Sequence, residues 1–258
     1  MRLLLANPNT TEAVTDTIAA AARAAAAAGT EIVAATARFG ARVIGTRTEM
    51  AIAEHAALDL LARESPGCDA VVIGASIDSG LRAAREMLAV PVLGLTESAL
   101  HVACLTGGRF GTVTLSRRSA YPLREMVEGY GLASRCGGMR AIEANPLDLL
   151  AAPERVADLI VAAAEGLIAD DMVDCVVLIG AVMAAMPARV QPRLPVPVIE
   201  GVRSAVALAE GLVRLRLPKP RAGGYAALTA RALVGVDPAL AARFAADGGG
   251  GGGDGDGA

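Results

Sequence analysis

The amino-acid sequence predicts an α/β protein made of two similar lobes. Short apolar runs alternate with segments of helical periodicity, which is typical of parallel sheets covered by helices. The chain also repeats itself, since residues 68–81 match residues 173–186 at an offset of 105, with Asp69 matching Asp174. We therefore expect an internal duplication in which two pseudo-symmetric lobes each contain a mostly parallel sheet flanked by helices, with the active cleft between them.

The individual strands and helices can be placed from the apolar runs and their flanking residues. Pro153 suits a first helical turn, and Pro91 and Pro197 suit the starts of strands. The segment Thr10-Thr11-Glu12 is typical of a helix start, because a hydroxyl there can accept a hydrogen bond from an unpaired amide. Strands are expected at residues 3–6, 31–35, 70–74, 92–95, 111–114, 139–142, 176–179 and 198–199. Helices are expected to begin after Thr10, Thr48, Gly80, Thr96, Arg118, Ala152, Pro187 and Val202.

The duplication also sets the domain organisation. Residues 1–226 are expected to form two intertwined lobes, approximately 1–105 and 106–226, and residues 227–247 a C-terminal extension with a last helix or two. The tail at 248–258 consists almost entirely of Gly and Asp, which offer no apolar area to offset the entropy of ordering. We expect this tail to be disordered and dispensable for stability.

The composition narrows the classes of protein. Hydrophobic residues make up 53% of the chain, which is ample for a core, and the net charge of −3 offers no basic surface for nucleic acid. The longest alanine-rich run contains Arg23 and is too short to span a membrane. The N-terminus lacks the regions of a signal peptide, so we expect a cytoplasmic protein, with a homo-oligomer left open.

Metal and cofactor chemistry have little support in the sequence. The four cysteines lack paired metal spacing, and His55 and His101 each lie in a helical pattern. We therefore expect reduced thiols, no metal and no cofactor.

Candidate site residues follow from the rule that ligands of open α/β sheets bind beyond the carboxyl ends of the strands. Ala75 and Gly180 lie at matched strand ends, and their short side chains leave backbone amides accessible to a carboxylate or imide oxygen. The alternative is that small residues merely let the strand ends pack. Candidate substrate-binding residues at the same ends are Asn7, Asn9, Ser76, Ile77, Thr114, Ala181, Val182 and Met183.

Motifs along residues 1–226 resemble one family. They read L-L-A-N-P-N-T-T, D-S-G-L-R-A-A-R-E, G-R-F-G-T-V-T, Y-G-L-A-S-R-C, V-P-V-I-E-G-V-R-S-A-V-A-L-A-E and K-P-R-A-G-G-Y-A. The chain thereby resembles the Asp/Glu/hydantoin racemase superfamily, most closely its hydantoin and allantoin racemase branch. The resemblance implies a cofactor-independent racemase or isomerase acting on amino-acid derivatives such as hydantoins, in which two facing thiols remove and return a proton. The two family cysteines fall on Ala75 and Gly180, so both thiols are absent here.

No other cysteine is placed to replace the absent thiols. Cys68 and Cys175 precede the strand ends by roughly 23 and 17 Å of extended chain. Cys104 falls within a helix, and Cys136 lies in a glycine-rich connection.

Charged residues near the strand ends have two interpretations each. Asp78 is a weak candidate for a catalytic role and, by preference, a cap for the helix near Gly80. Glu97 and Arg203 are repeat-related, and either could face the cleft; the pair Arg117 and Arg118 suits an anionic substrate or plain solvent exposure.

Three functions therefore remain open. The first is a racemase-like enzyme of this family, the second a lyase or decarboxylase using the same cleft, and the third a non-catalytic homologue that binds a small amino-acid derivative.

Overall fold

The computed structural model describes residues 1–145 and 148–245, in which parallel strands alternate with helices. The first half contains β1 (Arg2–Asn7), α1 (Glu12–Ala25), β2 (Glu31–Thr36), α2 (Arg47–Glu64), β3 (Ala70–Ile73), α3 (Leu81–Met87), β4 (Val92–Gly94) and α4 (Leu95–Thr106). The second half contains β5 (Phe110–Thr114), α5 (Arg117–Gly129), β6 (Cys136–Ala141), α6 (Asp148–Ala151), α7 (Pro153–Asp171), β7 (Cys175–Ile179), α8 (Pro187–Val190), β8 (Val198–Glu200) and α9 (Gly201–Leu215). Short 3₁₀ turns occur at Ala133–Arg135, Ala181–Ala185 and Gln191–Arg193, and α10 (Pro238–Ala242) lies in the C-terminal extension.

Two four-stranded parallel sheets form the centres of the lobes, in the orders β2-β1-β3-β4 and β6-β5-β7-β8. The strand register repeats between them, since Ile73 pairs with Gly94 in the first sheet and the matching Leu178 pairs with Glu200 in the second. The predicted fold class, two α/β lobes with parallel sheets, is confirmed.

The predicted elements need small corrections at their ends. Helix α2 begins earlier than expected, because Thr46 accepts a hydrogen bond from the backbone of Glu49 and the Glu49 carboxylate bonds back to Thr46. The hydroxyl of Thr11 does not cap α1 as expected; it donates instead to the carbonyl oxygen of Arg42 at 2.8 Å. The tail at 248–258 lies outside the described residues. No helix in the described ranges is long and apolar enough to cross a membrane.

The last helix of each half packs on the sheet of the other half. In α4, Ala99 and Leu100 join the core of the second lobe around Val177. In α9, Val202 and Val206 join the core of the first lobe around residues of β1 and β3. Because each lobe depends on a helix from the other half for its core, the two halves are expected to fold as one unit.

The two exchanged helices touch at their first residues. A Cβ on Gly201 would lie 2.6 Å from Cβ of Leu95 and 2.8 Å from its carbonyl oxygen. These two positions correspond to one another in the repeat. The close approach therefore requires glycine in one copy, because backbone atoms cannot move aside as a flexible side chain can.

The chain that follows α9, including the C-terminal extension, binds the first lobe through polar contacts and one buried side chain. Lys219 donates to the carbonyl oxygen of Leu88 at 3.0 Å, next to the end of α3. Asp237 accepts a hydrogen bond from Arg38, and Leu240 of α10 is buried.

We predict that Gly201→Ala destabilises the protein by roughly 1–3 kcal/mol, because the added methyl group overlaps backbone atoms of Leu95. Gly211→Ala is the matched control in the same helix, since a Cβ there meets nothing within 4 Å. It should be neutral or stabilising by up to about 1 kcal/mol, as expected for glycine replaced by alanine in a helix. Urea unfolding of the two variants measures both effects, and equal stabilities would contradict the close contact.

Candidate ligand-binding site

A small cavity of about 100 Å³ lies between the lobes, at the carboxyl ends of both sheets. Ala75 and Gly180 both line it, although they are far apart in the sequence. Its wall from the first half contains Asn9, Val14, Arg42, Val43, Ile44, Ala75, Ser76 and Ile77, and its wall from the second half contains Leu115, Gly180, Ala181 and Val182. The duplication thus brings two matched strand ends to the walls of one cavity.

Three candidate residues lie behind this wall and do not line the cavity. Asn7 is buried and donates to Thr15 Oγ1 at 2.9 Å, which ties β1 to α1. Thr114 is buried and shares a hydrogen bond with Ser119 at 3.0 Å. Met183 is fully buried and lies beneath Gly180, where an added Cβ would be 3.2 Å from its Cγ. These side chains support the cavity from behind.

Asn9 has a fixed orientation at the cavity wall. Its Oδ1 accepts hydrogen bonds from the backbone of Thr11 at 2.9 Å and from the side chain of Asn7 at 3.1 Å. Its Nδ2 donates no hydrogen bond within the described residues, and the side chain is 8% exposed. Asn9 therefore presents free N–H groups at the cavity.

Arg42 is a cavity residue that the sequence analysis did not identify. It belongs to the loop at 37–46 that follows β2, and the backbone of this loop is held where Thr10 donates to the carbonyl of Ala41 at 3.1 Å. The rule that ligands bind beyond strand ends applied to β2 as well, and it would have pointed to this loop. Arg42 is the one charged side chain among the described residues that line the cavity.

No thiol lines this cavity in the part of the chain that the structure describes. Cys68 and Cys175 are buried at the opposite ends of their strands, as their sequence positions suggest, and Cys104 and Cys136 are half-buried elsewhere. Burial raises the pKa of Cys175 to about 11 and also raises the pKa of Cys68 and of Cys136. Neutral thiols of this kind are poor nucleophiles and poor bases. No cluster of three metal-ligating side chains occurs among the described residues either.

Asp78 has a capping role, but not the one expected. The expectation that it caps the helix near Gly80 is wrong, because α3 has no side-chain cap. Its carboxylate instead accepts hydrogen bonds from the first turn of α4, with Oδ1 at 3.0 Å from the amide of Thr96 and Oδ2 at 2.8 Å from the amide of Glu97. The hydroxyl of Tyr130, from the second half, donates to Oδ2 at 2.7 Å.

The surroundings of Asp78 perturb its ionisation. Burial raises the pKa of Asp78 to about 6, although the hydrogen bonds from Tyr130, Glu97 and Thr96 oppose this effect. Asp78 borders a neighbouring groove of about 490 Å³ between α3 and α5 and does not line the small cavity. Its three hydrogen bonds give Asp78 a structural role, as an acceptor for the first turn of α4 and for Tyr130.

The other charged candidates also lie away from the cavity. Glu97 pairs with Arg85 through a hydrogen bond of 2.9 Å. Arg203 is exposed on α9, and Arg117 and Arg118 are exposed at the start of α5. None of these three arginines lines the cavity, so they have no contact with a ligand bound there.

The fold and the position of the cavity define a two-lobed α/β protein with matched strand ends on both sides of a small pocket. A model of the Asp/Glu/hydantoin racemase family matches residues 3–209. The structure is similar to that of the allantoin racemase from Klebsiella pneumoniae, with a TM-score of 0.88 and 35% identity over 93% of this chain and 98% of that one. The allantoin racemase from Pseudomonas fluorescens also gives a TM-score of 0.88, with 34% identity over 91% of this chain and 100% of that one. A hydantoin racemase of Pseudomonas sp. (strain NS671) is 32% identical over 216 residues, or 83% of this chain and 87% of that protein. The chain belongs to the Asp/Glu/hydantoin racemase family, in its hydantoin racemase branch.

We predict that the Asp78 carboxyl makes stability fall as the pH rises from about 4 to about 6. The folded state holds the proton up to about pH 6, whereas an unfolded Asp releases it near pH 4. The folded state therefore binds more protons in this window, and the free energy of unfolding decreases across it, by on the order of 3 kcal/mol at most.

Urea unfolding of the wild type and of Asp78→Asn between pH 4 and 7 measures this contribution as the difference between the two proteins. Tyr130→Phe removes a donor that lowers the pKa of Asp78, so the window should move to higher pH in that variant. A difference that is constant across the whole range would rule out titration of Asp78.

Proposed function

We propose that the protein binds a small derivative of an amino acid, such as a hydantoin, in the cavity between the lobes, without a cofactor and without two-thiol proton transfer. The observation that carries this proposal is the pair Ala75 and Gly180, which line one cavity from the two halves. Membership of the hydantoin racemase branch supports the ligand class. The apolar wall and its few polar groups are typical of a small-molecule site.

The chemistry of racemisation explains why binding is favoured over two-thiol catalysis. Inversion at a carbon atom needs a base on one face of the planar intermediate and an acid on the other. Each such group typically contributes about 10²- to 10⁴-fold to the rate. Alanine and glycine side chains carry no ionisable group, so neither of these two positions can exchange a proton with a ligand.

A second function is an enzyme of the same family, either a racemase-like isomerase or a lyase, that moves its proton in another way. Family membership favours it, and so do the polar side chains of Asn9, Ser76 and Arg42 at the cavity. These groups would stabilise negative charge that develops on a ligand, and a bound water molecule would carry the proton.

Deuterium incorporation from heavy water distinguishes the two functions. We expect the native protein to bind members of a panel of hydantoins, allantoin and free amino acids in calorimetric titrations and to leave their α-protons unexchanged. Exchange above the protein-free rate would favour the enzyme. Absence of any binding would contradict the proposed function, provided that the protein sample is folded by circular dichroism.

We predict that the double variant with Ala75→Cys and Gly180→Cys exchanges the α-proton of a hydantoin, while either single variant does so much less. The reason is that exchange with inversion needs one group on each side of the ligand. Gly180 has an extended backbone, and an added Cβ would press only on the flexible side chain of Met183, so cysteine can be accommodated there.

The measurement is deuterium exchange followed by mass spectrometry, with thermal melting as the control for folding. Alkylation should abolish the activity of the double variant. It should leave ligand binding by the native protein unchanged, since none of the four native cysteines lines the cavity. A folded double variant that binds a hydantoin yet exchanges nothing would contradict the inherited racemase geometry.

A further inference from the structure

The lining of the cavity is informative about the charge of its ligand. Most of the wall is apolar, with Ile44, Leu115 and Val182 among its larger side chains. Arg42 also lines the cavity, and it is exposed to solvent. Among the described residues that line the cavity there is no carboxylate to neutralise it.

Arg42 is held at the cavity by its backbone, whereas its side chain has no partner. The carbonyl oxygen of Arg42 accepts the hydroxyl of Thr11 at 2.8 Å, and the preceding residue, Ala41, accepts the amide of Thr10. Its guanidinium forms no hydrogen bond and no ion pair with any residue in the described ranges. In the same lobe Arg38 and Arg85 are paired with carboxylates, and Arg23, which is exposed and likewise unpaired within the described part of the chain, does not line the cavity. An arginine with a fixed backbone and an unpaired head is suited to an anion that arrives from outside.

The polar side chains beside Arg42 supply donors as well. Asn9 has both acceptor sites of its Oδ1 occupied, which leaves its Nδ2 as a donor with no partner among the described residues. The hydroxyl of Ser76 forms no hydrogen bond there either, and its rotation lets it donate. A ligand that presents acceptor oxygens can pair with both of these donors, whereas one that presents only N–H groups can pair with neither the amide of Asn9 nor the guanidinium of Arg42.

We propose that the ligand carries a carboxylate, which Arg42 binds with help from the N–H groups of Asn9. This inference rests on the proposed function and narrows it to a ligand class. Hydantoins are neutral rings at pH 7. Addition of one water molecule across an imide C–N bond opens the ring and gives an N-carbamoyl amino acid, whose carboxylate is ionised at pH 7. The cavity therefore favours an open-chain, anionic derivative over the closed ring.

The size of the cavity sets a limit on this ligand. The cavity is small, at about 100 Å³, and it lies between two walls of the chain. A carboxylate with a short apolar substituent suits this space, and the apolar wall receives the substituent. Long or branched side chains should bind less well than a methyl group.

Calorimetric titration with a matched pair of ligands tests the inference. The pair is N-carbamoyl-alanine and 5-methylhydantoin, which share one carbon skeleton and differ by one water molecule and one negative charge at pH 7. We expect the wild type to bind the carbamoyl compound at least 10-fold more tightly. Arg42→Gln should weaken its binding by roughly 10- to 100-fold, as for the loss of a charge-assisted hydrogen bond, and should change binding of the ring by less than about 3-fold.

Two further variants test whether the positive charge at position 42 causes the preference for the carboxylate, and melting temperatures control for folding. Arg42→Lys keeps the charge and should keep much of the preference for the carboxylate. Arg23→Gln removes an exposed charge on α1 outside the cavity and should leave both affinities unchanged. Higher ionic strength should weaken binding of the carbamoyl compound and leave that of the ring unaffected. Equal melting temperatures for the Arg42 variants and the wild type exclude unfolding as the cause of any loss.

The outcomes distinguish this inference from the proposed function. If Arg42→Gln loses affinity for N-carbamoyl-alanine and keeps its affinity for 5-methylhydantoin, the inference and the proposed function are both supported. Binding of 5-methylhydantoin at equal or higher affinity than N-carbamoyl-alanine, with no effect of Arg42→Gln, overturns the inference while the proposed function stands. Failure of the folded wild type to bind either compound or any other small amino-acid derivative overturns both.

Discussion

The junction where the first turns of α4 and α9 meet holds the two halves of this protein together. Each of these helices packs on the sheet of the opposite half, so their amino ends must lie side by side between the lobes. The first backbone amides of a helix have no partner within it and carry partial positive charge. Buried between two lobes, these amides require acceptors from elsewhere in the chain. The carboxylates of Asp78 and Glu200 supply them.

The two halves satisfy this requirement from different positions of the repeat. In the second half, Glu200 ends β8 and accepts hydrogen bonds from the first turn of the helix that follows it. The matching position in the first half is Gly94, where a Cβ would lie 2.3 Å from Cγ of Asp78. The position that matches Asp78 is Met183, which is buried under the cavity. Each half thus supplies one carboxylate from a different position of the repeat, and the glycine at position 94 leaves room for the carboxylate of Asp78.

The same duplication shapes the cavity. Because the two sheets have matching strand registers, the ends of β3 and β7 bring Ala75 and Gly180 to the walls of one pocket. Neither alanine nor glycine has an ionisable side chain, so these two positions cannot exchange a proton with a ligand. The polar character of the pocket then comes from Asn9, Ser76 and Arg42. Such a site is suited to binding a ligand through hydrogen-bond donors and a positive charge, and less suited to proton transfer by the side chains at positions 75 and 180.

The sequence by itself determined the α/β class, the two lobes and every central strand, because apolar periodicity and a repeat are local signals that survive without coordinates. It also identified strand ends, and seven of the candidate residues taken from them line the cavity. Only the tertiary structure decided that Asp78 caps α4 rather than α3, since α3 follows Asp78 closely in the sequence and only the packing brings the more distant first turn of α4 to its carboxylate. The strand-end rule indicates the loop after β2, but only the tertiary structure shows that Arg42 is the residue of this loop that brings a charge to the cavity, because the loop is anchored to the start of α1 by contacts between segments some 30 residues apart.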